Sequence, residues 1–211
     1  MYLSLLKLNP RSRRTMTESS HPYELHRSLL TAFPEEAVGG PGRVLFRLDT
    51  DHDTGNMSIL VQSEKQPDWS KLNGAGDFVT ECKCKGINPL LSSGQILRFR
   101  LRANPTKRVK MTGNRQGILR EEEQIEWLRK KGQQGGYELI EATAIDEGFA
   151  RDRKTSQSSV RHNITLLSVR FEGLLRVIDP EAFRDTLEDG IGSAKGLGFG
   201  LLSIAPLRGP S

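Results

Sequence analysis

The chain has 211 residues, of which 36% are apolar and 27% charged, enough of each for a packed core and a solvated surface. That composition excludes a wholly disordered chain, and no run approaches the ~18 consecutive apolar residues of a membrane span. Lys and Arg outnumber Asp and Glu by 31 to 26, a net charge of +5 whose placement says more than its size.

In chain order, residues 2–8 (YLSLLKL) read as a strand, followed by RSRRTMTESS, which holds too few apolar residues to pack. The opening apolar stretch precedes its charges and is followed by no small-residue cleavage site, so it is not a secretory signal and the cytoplasm is expected. In HPYELHRSLLTAF, Pro22 suits a first helical position. Leu25, Leu29 and Phe33 recur at helical spacing, so an amphipathic helix is expected, closed by Pro34. Residues 43–49 and 57–63 alternate as strands around a turn, 68–72 allow a short helix, and 77–85 read as another strand. Residues 86–94 (GINPLLSSG) read as a linker.

The order then begins again. Residues 95–103 alternate as a strand, with Ile96 and Arg98 on the face opposite Leu97, Phe99 and Leu101. A helix is expected from about Arg120 to Lys131, with Glu121, Glu122 and Glu123 at its start and Gly132 after its end. Strands at 137–146 and 164–178, a helix from Pro180 to about Leu187, a glycine-rich loop at 190–200 and a strand at 199–205 complete the chain. The order βαββαβ occurs twice, which implies an α+β fold of two tandem ferredoxin-like domains, 1–85 and 95–211, joined by 86–94.

Between 95 and 120 the chain holds Arg98, Arg100, Arg102, Lys107, Arg108, Lys110, Arg115 and Arg120, and no acid. Such a one-signed run suits a polyanion such as nucleic acid, or forms a solvated basic face. The loop GIGSAKGLGFG (190–200) has no Gly-Lys-Ser/Thr, and its strand follows the glycines instead of preceding them. It is therefore neither a Walker loop nor a dinucleotide fingerprint. It suits close backbone approach to a phosphate chain, with Lys195 adding charge and Gly196 and Gly198 freeing the backbone. Alternatively it is a turn without a ligand.

On the first amphipathic helix, Tyr23, His26 and Arg27 share one face, off the Leu25–Leu29 stripe. Imidazole moves a proton near neutral pH, while a phenol and a guanidinium orient and stabilise a reacting phosphate. Asp49, Asp51, His52 and Asp53 could hold a hard cation, but they sit where a hairpin turns and Asp is favoured there for backbone reasons. Arg151, Arg153, Lys154, Arg161 and His162 read as a mobile basic loop between strands. Cys82 and Cys84 lie two apart in one strand, a spacing that rarely bridges, so no disulfide is expected.

Four segments together, MYLSLLKLNP, PYELHRSL, LRFRLRANPTKRV and GIGSAKGLGFGLLSIAP, resemble the CasE family of CRISPR-associated endoribonucleases in the RAMP superfamily. The resemblance runs from Met1 to about Pro206. It implies two ferredoxin-like domains and cleavage of CRISPR precursor RNA at the base of a repeat stem-loop, with no metal or other cofactor. It also implies retention of the product as a subunit of the Cascade complex, with other Cascade proteins as partners and no membrane. The family's Y-x-x-H pair falls on Tyr23 and His26. Its third, basic residue falls in the loop before the FEG strand, where Lys154 is the first candidate and Arg153, Arg161 and His162 are others. The stem would be held through its backbone by Arg27, Arg98, Arg100, Arg102, Lys107, Arg108, Lys110, Arg115, Arg129, Lys130, Arg153, Arg161 and Lys195, with Gly196 and Gly198. Attack by the RNA's own 2′-hydroxyl would leave a 5′-hydroxyl and a 2′,3′-cyclic phosphate. A non-catalytic RNA-binding subunit on the same fold, or a metal nuclease built on Asp49–Asp53, are the competing expectations.

Overall fold

A computed structural model of the chain describes all residues except 36–38, 52, 74–76, 110–112, 156–160 and 208–211. The side chains of 73, 152–155 and 161–164 are likewise not described. The chain divides into two compact units. The first comprises Met1–Asn88 with Arg151–Thr165 and Gly196–Gly198; the second comprises Pro89–Ala150, Leu166–Lys195 and Phe199–Ser211.

The first unit contains β1 (Tyr2–Leu8), α1 (Arg13–Ser19), α2 (Pro22–Leu30), β2 (Val44–Thr50), β3 (Met57–Ser63), α3 (Ser70–Asn73) and β4 (Val79–Gly86). Its strands order β2-β3-β1-β4, and every pair is antiparallel. That order, first strand central and last strand at its outer side, is the ferredoxin-like arrangement. Leu25 and Leu29 of α2 bury completely or nearly so against Leu6, Leu8, Phe46, Ile59 and Val61 of the sheet. Each such side chain contributes roughly 1.5–3 kcal/mol through its removal from water. β4 is an outer strand, and Cys82, Lys83, Cys84 and Lys85 on it are all exposed, the two thiols free.

The second unit repeats the pattern with β5 (Ile96–Ala103), β6 (Thr106–Arg108), β7 (Arg115–Gly117), α4 (Glu121–Gln134), β8 (Tyr137–Thr155), β9 (Arg161–Val177), α5 (Pro180–Asp189) and β10 (Leu202–Pro206). Of these, the far end of β8 from Arg151 and the near end of β9 up to Thr165 belong to the first unit. Its main sheet orders β10-β5-β9-β8, the same topology. β5 alternates as expected, with Leu97, Phe99, Leu101 and Ala103 buried against Leu128 of α4 and Phe183 and Leu187 of α5. Asp179 caps α5 through hydrogen bonds accepted from the backbone N–H groups of Glu181 and Ala182. Among the described residues no helix is long and apolar enough to cross a membrane.

Five features depart from the sequence expectation. The polar stretch after β1 is not left unpacked: Arg13–Ser19 form α1, with Thr15 and Glu18 buried. Pairing takes the place of greasiness here. Arg14 donates to Glu18 at 2.6 Å and to the Leu72 carbonyl at 2.7 Å, and its guanidinium lies 4.4 Å from the Phe78 ring centroid. Gly132 does not end α4, which runs on to Gln134; a Cβ at Gly132 would stand 2.5 Å from the Tyr137 carbonyl oxygen, so this glycine answers a packing need. The basic segment folds into a small hairpin, β6 with β7. Arg151, Arg153, Lys154, Arg161 and His162, expected in a loop between strands, have strand backbone, since β8 and β9 extend through those positions; the part of that loop at 156–160 lies outside the described residues. The last strand starts at Leu202, not 199, because Gly200 at φ +89 turns its N–H to the Arg102 carbonyl.

Candidate active site

In the first unit, α2 carries Tyr23, His26 and Arg27 on one side of the helix. Arg27 is exposed and donates to Glu24 at 3.1 Å. Tyr23 is half-buried. His26 is half-buried too, and its ring stacks on Phe46 of β2, with centroids 5.9 Å apart and planes 13° apart. Its Nδ1 is fully enclosed with no hydrogen-bond partner among the described residues. Burial lowers its pKa below the ordinary histidine value. Desolvation penalises the charged imidazolium, so burial favours the neutral ring, and with the proton of that ring on the enclosed Nδ1 its lone pair lies at Nε2.

The glycine-rich stretch approaches this histidine. A Cβ at Gly196 would lie 3.4 Å from His26 Nε2, and one at Gly198 would lie 3.1 Å from Phe46 Cε2. Gly198 is buried with φ +82, a conformation that L side chains rarely adopt. In the second unit the same loop is held at its ends: Ile191 N–H donates to the Gly200 carbonyl at 2.9 Å, and Gly200 N–H to Arg102 at 2.8 Å.

Two of the three acids near the β2–β3 turn, Asp49 and Asp51, are already engaged. Asp49 accepts from the buried Arg47 at 2.8 Å, and the Asp51 carboxylate accepts from the backbone of Asp53 and Thr54 at 3.0 Å each. These carboxylates shape a strand end and a turn. His52 lies outside the described residues, as do Lys110 and the side chains of Arg153, Lys154, Arg161 and His162.

The second unit carries most of the candidate RNA-binding cations, and the fold brings them the acids that their own segment lacks. On the open face of the main sheet, Arg102 binds Glu147 in a two-point contact at 2.6 and 3.1 Å, and Arg100 pairs with Glu172 at 2.8 Å. Arg170 stands between those two glutamates, 3.7 Å from Glu147 and 3.5 Å from Glu172. Lys107 meets Glu123 at 2.6 Å, while Arg129 and Lys130 share Glu126 at 2.7 and 3.8 Å. Arg98, Arg108, Arg115 and Lys131 make no ion pair among the described residues. Of these, Arg108, Arg115 and Lys131 line one polar cleft of about 620 Å³, together with Trp127, Ser193 and Lys195. Sequence reasoning counted the cations but missed the partners. Glu147, Glu172 and Glu123 come from distant elements and leave no local signal, whereas Glu126 stands three and four residues before Arg129 and Lys130 on one helix, a spacing that could have found it.

Tandem ferredoxin-like units, one carrying a histidine-bearing helix and the other a basic hairpin, define the class of fold and site. The chain belongs to the CRISPR associated protein family, whose model matches residues 1–206. It is similar to the CRISPR-associated endoribonuclease Cse3 of Thermus thermophilus, 37% identical across 98% of this chain and 100% of that protein. It is also similar to the CRISPR system Cascade subunit CasE of Escherichia coli K12, 32% identical across 88% of this chain and 92% of that one. The solved structure of Cse3 bound to a 19-nucleotide RNA superposes with a TM-score of 0.88 at 37% identity, over 98% of this chain and 100% of that one.

Proposed function

We propose that this protein is an endoribonuclease of CRISPR precursor RNA that needs no metal, and that it keeps the cleaved repeat as part of a Cascade complex in the cytoplasm. The observation that carries the chemistry is His26. Burial keeps its imidazole neutral, the form that accepts a proton, and Tyr23 stands one turn earlier on the same side of α2. In the proposed step the 2′-hydroxyl of the RNA attacks the adjacent phosphate and loses its proton to His26. The O2′–P bond forms as the P–O5′ bond breaks, and the leaving oxygen takes up a proton from solvent water to become a 5′-hydroxyl while protonated His26 returns its proton to solvent. Tyr23 orients the phosphate, and a cation steadies the extra negative charge. Lys154 is the first candidate for that cation, with Arg153, Arg161 and His162 behind it.

Binding rests on the phosphate backbone. The exposed ion pairs of Lys107, Arg129 and Lys130 are each worth ~0–1 kcal/mol, so a phosphate can take the place of the carboxylate. The names of the relatives, an endoribonuclease and a Cascade subunit, support both halves of the proposal. Independence from metal is supported by the engagement of Asp49 and Asp51 in local contacts.

The test is incubation of the purified protein with the repeat RNA of its host in excess EDTA, followed by end-group analysis. Cleavage should persist and leave a 5′-hydroxyl and a 2′,3′-cyclic phosphate. Loss of cleavage with EDTA, or a 5′-phosphate product, would overturn the metal-free mechanism.

A further inference from the structure

Within 190–200, Gly190, Gly192, Gly198 and Gly200 have φ of +74, +86, +82 and +89, a backbone reason for lacking a side chain. Gly196 has no such reason, since its φ lies outside the left-handed region. A Cβ built there meets His26 first: 3.4 Å from Nε2, 3.6 Å from Cδ2 and 3.7 Å from Cε1. A methyl at these distances would rest in ordinary contact with the ring, so what the missing side chain leaves open is the space beside the Nε2 edge of the imidazole, which a larger side chain would fill. One ring face is held by Phe46, only 1% exposed, and Nδ1 is sealed within the protein.

We infer that Gly196 and Phe46 are positioning residues for His26: Phe46 fixes the plane of the imidazole, and Gly196 leaves its Nε2 edge open to the reacting part of the RNA. This rests on the proposed role of His26 in cleavage. A neutral imidazole with Nδ1 buried can exchange a proton with RNA only at Nε2, so whatever crowds that edge slows chemistry without touching the phosphate contacts that hold the stem. The inference gives Gly196 a reason distinct from a phosphate cradle. It also separates Gly196 from Gly198, whose absent side chain is explained by backbone conformation and the Phe46 ring.

The experiment compares Gly196→Ala, Gly196→Val, Phe46→Leu and Phe78→Leu in single-turnover cleavage at saturating RNA, RNA binding and thermal unfolding. Phe78 is buried in the same core to the same 1% exposure, so it controls for lost packing. Gly196→Ala, whose methyl only touches the ring, should cleave a few-fold more slowly, and Gly196→Val, whose branches crowd the Nε2 edge and displace the reacting groups by about 1 Å, ~100-fold more slowly. RNA binding should stay within about threefold, because many phosphate contacts share it. Gly196→Ala should unfold at the wild-type temperature, since no left-handed φ is involved. Phe46→Leu should slow cleavage at saturating RNA, whereas Phe78→Leu should lose similar stability and cleave normally.

Wild-type cleavage by both Gly196 variants would overturn the inference, as would equal cleavage by the two phenylalanine variants. Binding that falls in step with rate in Gly196→Ala would assign this glycine to a phosphate cradle instead. His26→Ala separates the two levels. If it cleaves normally, the proposed mechanism itself fails; if it is inactive while Gly196→Val is normal, only this inference fails.

Discussion

Arg108 stands directly opposite Arg115 across the two-stranded β6–β7 ladder, and neither makes an ion pair among the described residues. Like charges opposed on a ladder destabilise it, so this hairpin carries a cost that a bound anion would remove. Arg115→Gln should therefore leave the fold as stable as wild type or slightly more so, while weakening RNA binding. The slope of log affinity against log salt should fall by about one, the value for one lost phosphate contact. Titration of repeat RNA at several salt concentrations checks this; an unchanged slope would place the hairpin away from RNA.

His26→Ala should lower the cleavage rate by ~10²–10⁴ through loss of proton transfer, yet leave RNA binding within a few-fold. Binding and cleavage measured on one preparation decide it. A parallel loss of both would make His26 an RNA anchor.

Gly198→Ala should be a folding variant. Its φ of +82 and the Phe46 ring 3.1 Å from an added Cβ both oppose a side chain. Strain of this kind costs ~1–3 kcal/mol, which a thermal melt of the free protein resolves. An unchanged melt with weakened RNA binding would instead support a phosphate cradle at this residue.

Much of this fold is legible in the sequence, because strand alternation and helix periodicity are local signals. Leu97, Phe99 and Leu101 mark one face of β5 with no structure in hand, and Pro22, Leu25 and Leu29 mark α2. What escapes is whatever depends on a distant partner. α1 forms because Arg14 finds Leu72 and Phe78, some sixty residues away. Gly132 reads as a stop signal until Tyr137 is seen folding back on it. Tyr23 and His26 stand out by spacing and chemistry, but the stacking of His26 on Phe46 joins two elements and has no trace in either alone. The extended ends of β8 and β9 are polar, so hydrophobic alternation does not announce them.

The pairing of Arg129 and Lys130 with Glu126 gives a test in the opposite direction. Glu126→Gln removes the shared carboxylate and frees both cations. If these cations meet phosphate, RNA affinity should rise a few-fold at low salt, with the gain fading as salt screens it. Fluorescence anisotropy with labelled repeat RNA would show it, and unchanged affinity would remove Arg129 and Lys130 from the RNA contact set.

Acidity should act on the fold through His26. Its folded pKa lies below that of the unfolded chain, so between the two values the unfolded state binds more protons and stability rises with pH. That contribution is present above the ordinary histidine value and is lost as pH falls through it. Denaturant unfolding across this range should show a decline that is absent in His26→Phe; equal declines in both proteins would trace the effect to other groups.

The outer strand β4 bears on how copies of the chain behave at high concentration. An open strand edge is a template for a second chain, and lysines placed on it make edge-to-edge pairing costly. Lys83 and Lys85 interleave there with the free, exposed Cys82 and Cys84. While the ammonium groups stay charged, two such edges repel one another; acetylating the lysines would remove that guard and invite aggregation. Air oxidation would then link neighbouring molecules through the same strand, so a reducing buffer and intact lysines preserve monodisperse material.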